Sequence, residues 1–230
     1  MNLLKKISYI SLGILLSIVL LFTSVEIVAF NLNHYNKSFV KYNITESTGM
    51  DMKNLQHTIE DVLLYLKDNR EELDTRAVIN GEEREVFGER EILHMVDVKE
   101  LFIKGRFIRN LSIPLILIIS LFIIKTDRNW KRSLSKTLLN TSIINIVLLV
   151  ILLILMAIDF YKYFTYFHLI FLNNDLWILD PKTDVLIQMV PERFFYDTAV
   201  KIVSYFVGSL LVLGSFGFYY IKKNKPQYGK

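Results

Sequence analysis

Residues 159–199 read DFYKYFTYFHLIFLNNDLWILDPKTDVLIQMVPERFFYDTA. An apolar run long enough to cross a bilayer lies on each side of this stretch, 138–158 before it and 201–221 after it. The stretch itself holds six carboxylates against Lys162, Lys182 and Arg193, together with one histidine, paired asparagines and many aromatics. It is too apolar to float free in water. Its opening FYKYFTYF has the make-up of an aromatic belt at a bilayer interface. Read as an interfacial loop between two spans, it makes the chain a membrane protein.

Composition agrees. The 230 residues are 52% hydrophobic, and the mean hydropathy of +0.35 is high for a soluble domain. With no cysteine there is no disulfide framework, zinc-thiolate site, cysteine nucleophile or lipid-bearing cysteine. The net charge of +4 is decided by where the charges lie.

Four spans follow from hydropathy. Residues 7–30, behind Lys5 and Lys6, stay apolar for roughly 24 residues, longer than a signal-peptide core and without a clear cleavage site, so they read as an uncleaved first span. Glu26 near its far end calls for an inward or interfacial position. Residues 107–124, with Pro114, form the second span and 138–158 the third. In the fourth, 201–221, Gly208, Gly214 and Gly217 offer close helix approach. Lys125, Arg128, Lys131, Arg132 and Lys136 fill the loop 125–137, and Lys222, Lys223, Lys225 and Lys230 the tail 222–230. The positive-inside rule then puts both termini in the cytoplasm and both larger segments outside. The basic excess is a topology signal, and no nucleic-acid partner is expected.

The segment 31–106 mixes both charge signs, as a solvated folded region does. Leu55, Ile59, Val62, Leu63 and Leu66 mark one face of a helix within 51–73. Asn80-Gly81 predicts a hairpin over 77–87, with a charged arm, and 89–101 regains helical spacing. In 159–199, Leu176–Leu179 and Val185–Val190 flank a turn at 180–183 and are expected to pair as short strands; Pro191 opens a helix into the last span. The expected fold is a mainly α membrane protein with four transmembrane helices, N-in/C-in. A small mixed α/β extracytoplasmic domain caps its outer face.

Familiar catalytic patterns are missing: no GxSxG, no HExxH, no glycine-rich phosphate loop. Histidine remains. His34 and His57 sit in polar surroundings and read as surface or packing residues. His94 and His168 are each embedded in an apolar or aromatic run near a span boundary, where antiparallel packing could bring them together. Asp97 follows His94 by three residues, so on a helix it could hold the imidazole in one tautomer. Anchoring histidines, or a metal site, are the other readings of this pattern, and the spacing does not favour metal.

HMVDV at 94–98, FHLIFLNNDLW at 167–177, DPKTDVLIQMVP at 180–191 and RFFYD at 193–197 resemble the bacterial lipoprotein intramolecular transacylase (Lit) family. The resemblance covers nearly the whole chain, the first 50 residues adding little, and the four-span layout agrees. It implies an acyltransferase of the bacterial cytoplasmic membrane with its site on the extracytoplasmic face. Its substrate is a diacylglyceryl-modified lipoprotein held in membrane lipid. The sn-2 acyl chain moves to the α-amino group of the N-terminal cysteine, giving lyso-form lipoprotein, with no cofactor and no metal. The family's catalytic histidines fall on His94 and His168. One would act as base toward the amine; the other, oriented by a neighbour such as Asp97, would polarise the carbonyl or protonate the leaving oxygen. Asn173, Asn174, Trp177 and Arg193 are candidates for binding substrate or steadying an oxyanion. The competing reading is a non-enzymatic accessory or sensor protein that binds a partner through its outer domain.

Overall fold

The computed structural model describes residues 2–223; the tail lysines Lys225 and Lys230 lie outside them. The described residues are mainly helical, and four helices are long and apolar enough to cross a membrane: α1 (Leu3–Ala29), α5 (Glu89–Thr126), α6 (Trp130–Ile158) and α9 (Glu192–Lys223). Between them come α2 (Leu32–Lys41), α3 (Ile44–Thr48), α4 (Met52–Leu66), β1 (Arg76–Ile79), β2 (Glu82–Glu85), α7 (Phe160–Phe171) and α8 (Val185–Met189). The chain divides into two compact units.

Of the described residues, the membrane unit takes 2–25, 106–160 and 202–223. Exposed apolar side chains are common on its spanning helices, among them Leu117, Ile118, Leu121, Val147, Leu148 and Ile151, as expected where hydrocarbon is the solvent. The helices meet through small and polar residues. Asn145 Nδ2 donates to Ser17 Oγ at 2.7 Å, and Tyr9 OH donates to Asp127 at 2.8 Å. Gly217 lies where an added Cβ would stand 2.6 Å from the Ser135 carbonyl oxygen, and Gly214 abuts Ser142. Gly208 has nothing within 4 Å of such a Cβ, so the expected close approach there is not found.

The second unit takes 26–105 and 161–201. Its core gathers Phe39, Ile44, Met50, Leu55, Ile59, Val62, Met95, Leu186, Met189 and Phe194. The apolar face of α4 is buried at Leu55, Ile59, Val62, Leu63 and Leu66, and Asp51 caps its start by accepting from Asn54 N at 2.7 Å. β1 and β2 pair antiparallel, Ile79 opposite Glu82. Asn80 (φ 54°) and Gly81 (φ 88°) supply the two left-handed residues that a tight hairpin turn needs. Ala77 and Ile79 face the core, while every residue of β2 is exposed.

Several elements differ from expectation. Residues 185–190 do not pair as a strand with 176–179. Val185, Leu186 and Met189 are the buried positions, a helical rather than an alternating set, and they fold as α8. The belt 160–171 is the helix α7. Residues 89–126 form one continuous helix, roughly 57 Å long, instead of a helix and a separate span. Helices α2 and α3 have no counterpart in the sequence reading.

Candidate active site

α5 carries His94 and α7 carries His168, both in the second unit. Their rings lie 6.4 Å apart between centroids, tilted by 38°. Both are buried, at 9% and 8% exposure.

Backbone and aromatic groups hold His168. Its Nδ1 lies 2.8 Å from the Phe164 carbonyl, which can only accept, so Nδ1 carries the hydrogen and Nε2 keeps its lone pair. Trp177 stacks on the ring at 4.6 Å and 21°, and Phe164 presents an edge at 4.4 Å. Burial lowers the His168 pKa, opposed by the hydrogen bond to Phe164. His94 is pushed down to about 4, first by burial and then by His168, with the Asp97 charge opposing. Both imidazoles are therefore neutral at pH 7.

Asp97 does not hold His94 through Nδ1, which is buried and has no hydrogen-bond partner. Its carboxylate instead accepts from Asn174 Nδ2 at 2.8 Å, so Asp97 acts on His94 through its charge and ties 174 to α5. Asn174 Oδ1 also accepts from Leu176 N at 3.0 Å. Trp177 Nε1 and Thr165 Oγ1 are likewise buried without partners. Asn173 is exposed, as is Arg193, whose carbonyl accepts from Tyr42 OH at 3.3 Å in the first turn of α9. Among the described residues, no three His, Cys, Asp or Glu side chains gather as metal ligands would.

One residue escaped the sequence reading. Glu91 is 4% exposed; it accepts from Gly88 N at 2.7 Å and from Leu186 N at 2.6 Å. Burial raises its pKa, against the pull of those backbone donors. Glutamate three residues past a helix-capping position is a recognisable signal at Gly88-x-x-Glu91, but Leu186 as second donor is not foreseeable. Of the two readings given for His34, surface or packing, the structure shows packing: it is 3% exposed. It stacks on Phe194 at 5.0 Å and bonds Thr198 Oγ1 at 2.8 Å and Lys201 Nζ at 2.6 Å.

The model of a family described as lipoprotein intramolecular transacylase Lit matches residues 10–195. The chain belongs to the Lit family. Its fold agrees: the solved structure of the membrane integral lipoprotein intramolecular transacylase Lit from Bacillus cereus superposes with a TM-score of 0.80 at 23% identity, covering 96% of this chain and 97% of that one. Two variants of the Bacillus cereus protein, each with one histidine replaced, superpose at 0.77 and 0.76, both at 22% identity. They cover 96% of this chain, and 94% and 93% of their own. No curated protein matches the chain. As a Lit-family member the protein is a multi-pass membrane acyltransferase acting on lipoproteins. It moves the sn-2 acyl chain of a diacylglyceryl-modified lipoprotein onto the α-amino group of its N-terminal cysteine, and the accessory or sensor reading is set aside.

Proposed function

We propose that His94 and His168 carry this transfer, with His168 as the base and His94 as the neutral electrophile. The observation behind the reading is the pair itself, two buried imidazoles 6.4 Å apart on helices from different segments of the chain. The lipoprotein's α-amine has an ordinary pKa of about 7.7–8.0, so part of it is unprotonated near neutrality. Its nitrogen attacks the sn-2 ester carbonyl carbon, and the tetrahedral adduct carries an acidic N–H and an oxyanion. His168 Nε2, with Nδ1–H engaged by Phe164, takes that proton. The carbon–oxygen bond to glycerol then breaks, and the imidazolium returns the proton to the departing sn-2 oxygen. An ester becomes an amide, glycerol gains a hydroxyl, and no proton is left over. A neutral His94 donates from a ring N–H to the oxyanion, and its low pKa keeps it in that form. Trp177 Nε1, a buried donor in want of an acceptor, supports the same role. Nucleophile and ester share one molecule, so holding them in near-attack geometry supplies much of the rate.

Asn173 and Arg193, being exposed, are assigned to the lipoprotein backbone or lipid headgroups, and Asn174 with Asp97 to holding the loop. The positive-inside pattern supports N-in/C-in topology in the bacterial cytoplasmic membrane, with the second unit as an extracytoplasmic α/β cap whose acyl-chain partner is membrane lipid. No cofactor, metal or nucleic acid enters the reaction as written.

The test is mass spectrometry of lipoprotein N-terminal peptides from a diacyl-lipoprotein host expressing the chain. Wild type should yield N-acylated, mono-acyl-glyceryl cysteine. His94→Gln and His168→Gln should each lower the product by about 10²–10⁴-fold at equal expression. Full product from either variant would remove that histidine from the mechanism.

A further inference from the structure

Glu91 is a buried carboxylate that the chemistry of acyl transfer does not use. It lies three residues before His94 on α5, close to one helical turn away. Its two oxygens serve two segments: Oε2 accepts from Gly88 N and closes the start of α5, while Oε1 accepts from Leu186 N in α8. Two backbone donors, one on each oxygen, suit the ionised form, in which both oxygens only accept; protonation would turn one of them into a donor. Asp184, at the start of α8, is the like charge that faces it.

Residues 174–190 form two internally bonded stretches, 174–179 and 180–190, joined through Leu179, which packs against the core. Asp184 N donates to the Asp180 carbonyl at 2.8 Å, Asp180 N to Asp184 Oδ2 at 2.7 Å, and Gln188 Nε2 to the Pro181 carbonyl at 3.0 Å. Ile178 N donates to the Asp175 carbonyl at 3.0 Å. A bond at Leu186 bears on Trp177, whose indole covers His168, through this short link at Leu179. The other ties between this segment and α5, Arg90 to Asp175 and Asn174 to Asp97, are exposed and weaker. Among the polar ties of the described residues Glu91 makes the buried one, beside the apolar core that Met95 shares with Leu186 and Met189.

We propose that Glu91 is a positioning residue for the transfer. It fastens 174–190 to the first turns of α5, so that Trp177 stays stacked on His168 beside His94. The inference rests on the histidine pair being the site of transfer.

The test uses the full chain in detergent, with histidine labelled for NMR, and the lipoprotein assay in parallel. In wild type the Trp177 face should shift the His168 ring protons upfield. In Glu91→Gln, where an amide N–H₂ replaces one acceptor, the shift should collapse while thermal unfolding stays cooperative. The transfer rate should fall by about 100-fold, the cost of roughly 1 Å of misalignment, with KM unchanged, so that alignment and not binding is lost. Glu91→Asp keeps the charge but is one methylene too short to bridge; it should behave alike, and it decides the matter if Glu91→Gln does not accumulate. A retained His168 shift, or an unchanged rate, overturns the proposal. Wild-type protein that shows the shift but no transfer would overturn the assignment of the site and not the hold of Glu91 on Trp177.

Discussion

His94 and His168 are held by different means, and this sets how the folded protein responds to acid. Both pKa values lie below that of an exposed histidine. Between the folded and unfolded values the unfolded chain binds more protons, so stability rises with pH there. The contribution is complete above about pH 6.5 and is lost as pH falls toward the His94 value of about 4. For His94 it is on the order of 3 kcal/mol. Thermal melts in detergent should therefore show wild type losing more stability between pH 7 and 4.5 than His94→Gln. Equal losses would mean that His94 is not a buried neutral imidazole. The pair was legible in the sequence because a histidine inside an apolar run needs a reason to be there. For His34 the reading stopped at surface or packing, because its partners Thr198 and Lys201 lie far along the chain and polar neighbours in sequence hid which of the two applies.

Among the helices, glycine contacts make the sharpest contrast. Gly217→Ala would drive a methyl against the Ser135 carbonyl, and overpacking of this kind costs about 1–3 kcal/mol. Gly208→Ala meets open space and should be neutral or stabilising by up to about 1 kcal/mol. Melting temperatures of the two variants in one detergent give the comparison; equal effects would refute the packing. In α8, Met189 is 1% exposed, so Met189→Ala should cost about 2–5 kcal/mol. The four spans and the α4 face could be read from hydropathy and spacing, and the hairpin from Asn80-Gly81. Residues 185–189 could not, since a short, mostly apolar run such as VLIQM fits strand and helix equally. What selects helix is the burial of Leu186 and Met189 and the Glu91 carboxylate waiting at Leu186 N.

For the molecule as a whole, the absence of cysteine makes topology directly testable, since any introduced cysteine is unique. Glu83→Cys, on exposed β2, should react with an impermeant maleimide in intact cells, and Asn129→Cys, in the loop before α6, only after permeabilisation. The reverse pattern would invert the proposed orientation. The two-stranded sheet bears on a different matter, the behaviour of many copies confined to one plane. Among the described residues β2 pairs only with β1, so its other edge offers a row of backbone donors and acceptors to any strand that drifts alongside. Diffusion in a membrane raises the frequency of such meetings. Glu82, Glu83, Arg84 and Glu85 place charge at every position of that edge, and three carboxylates to one guanidinium leave it net negative, so two copies brought together there would meet like charge. An edge charged at every position is thereby expected to disfavour strand-to-strand pairing between neighbouring copies.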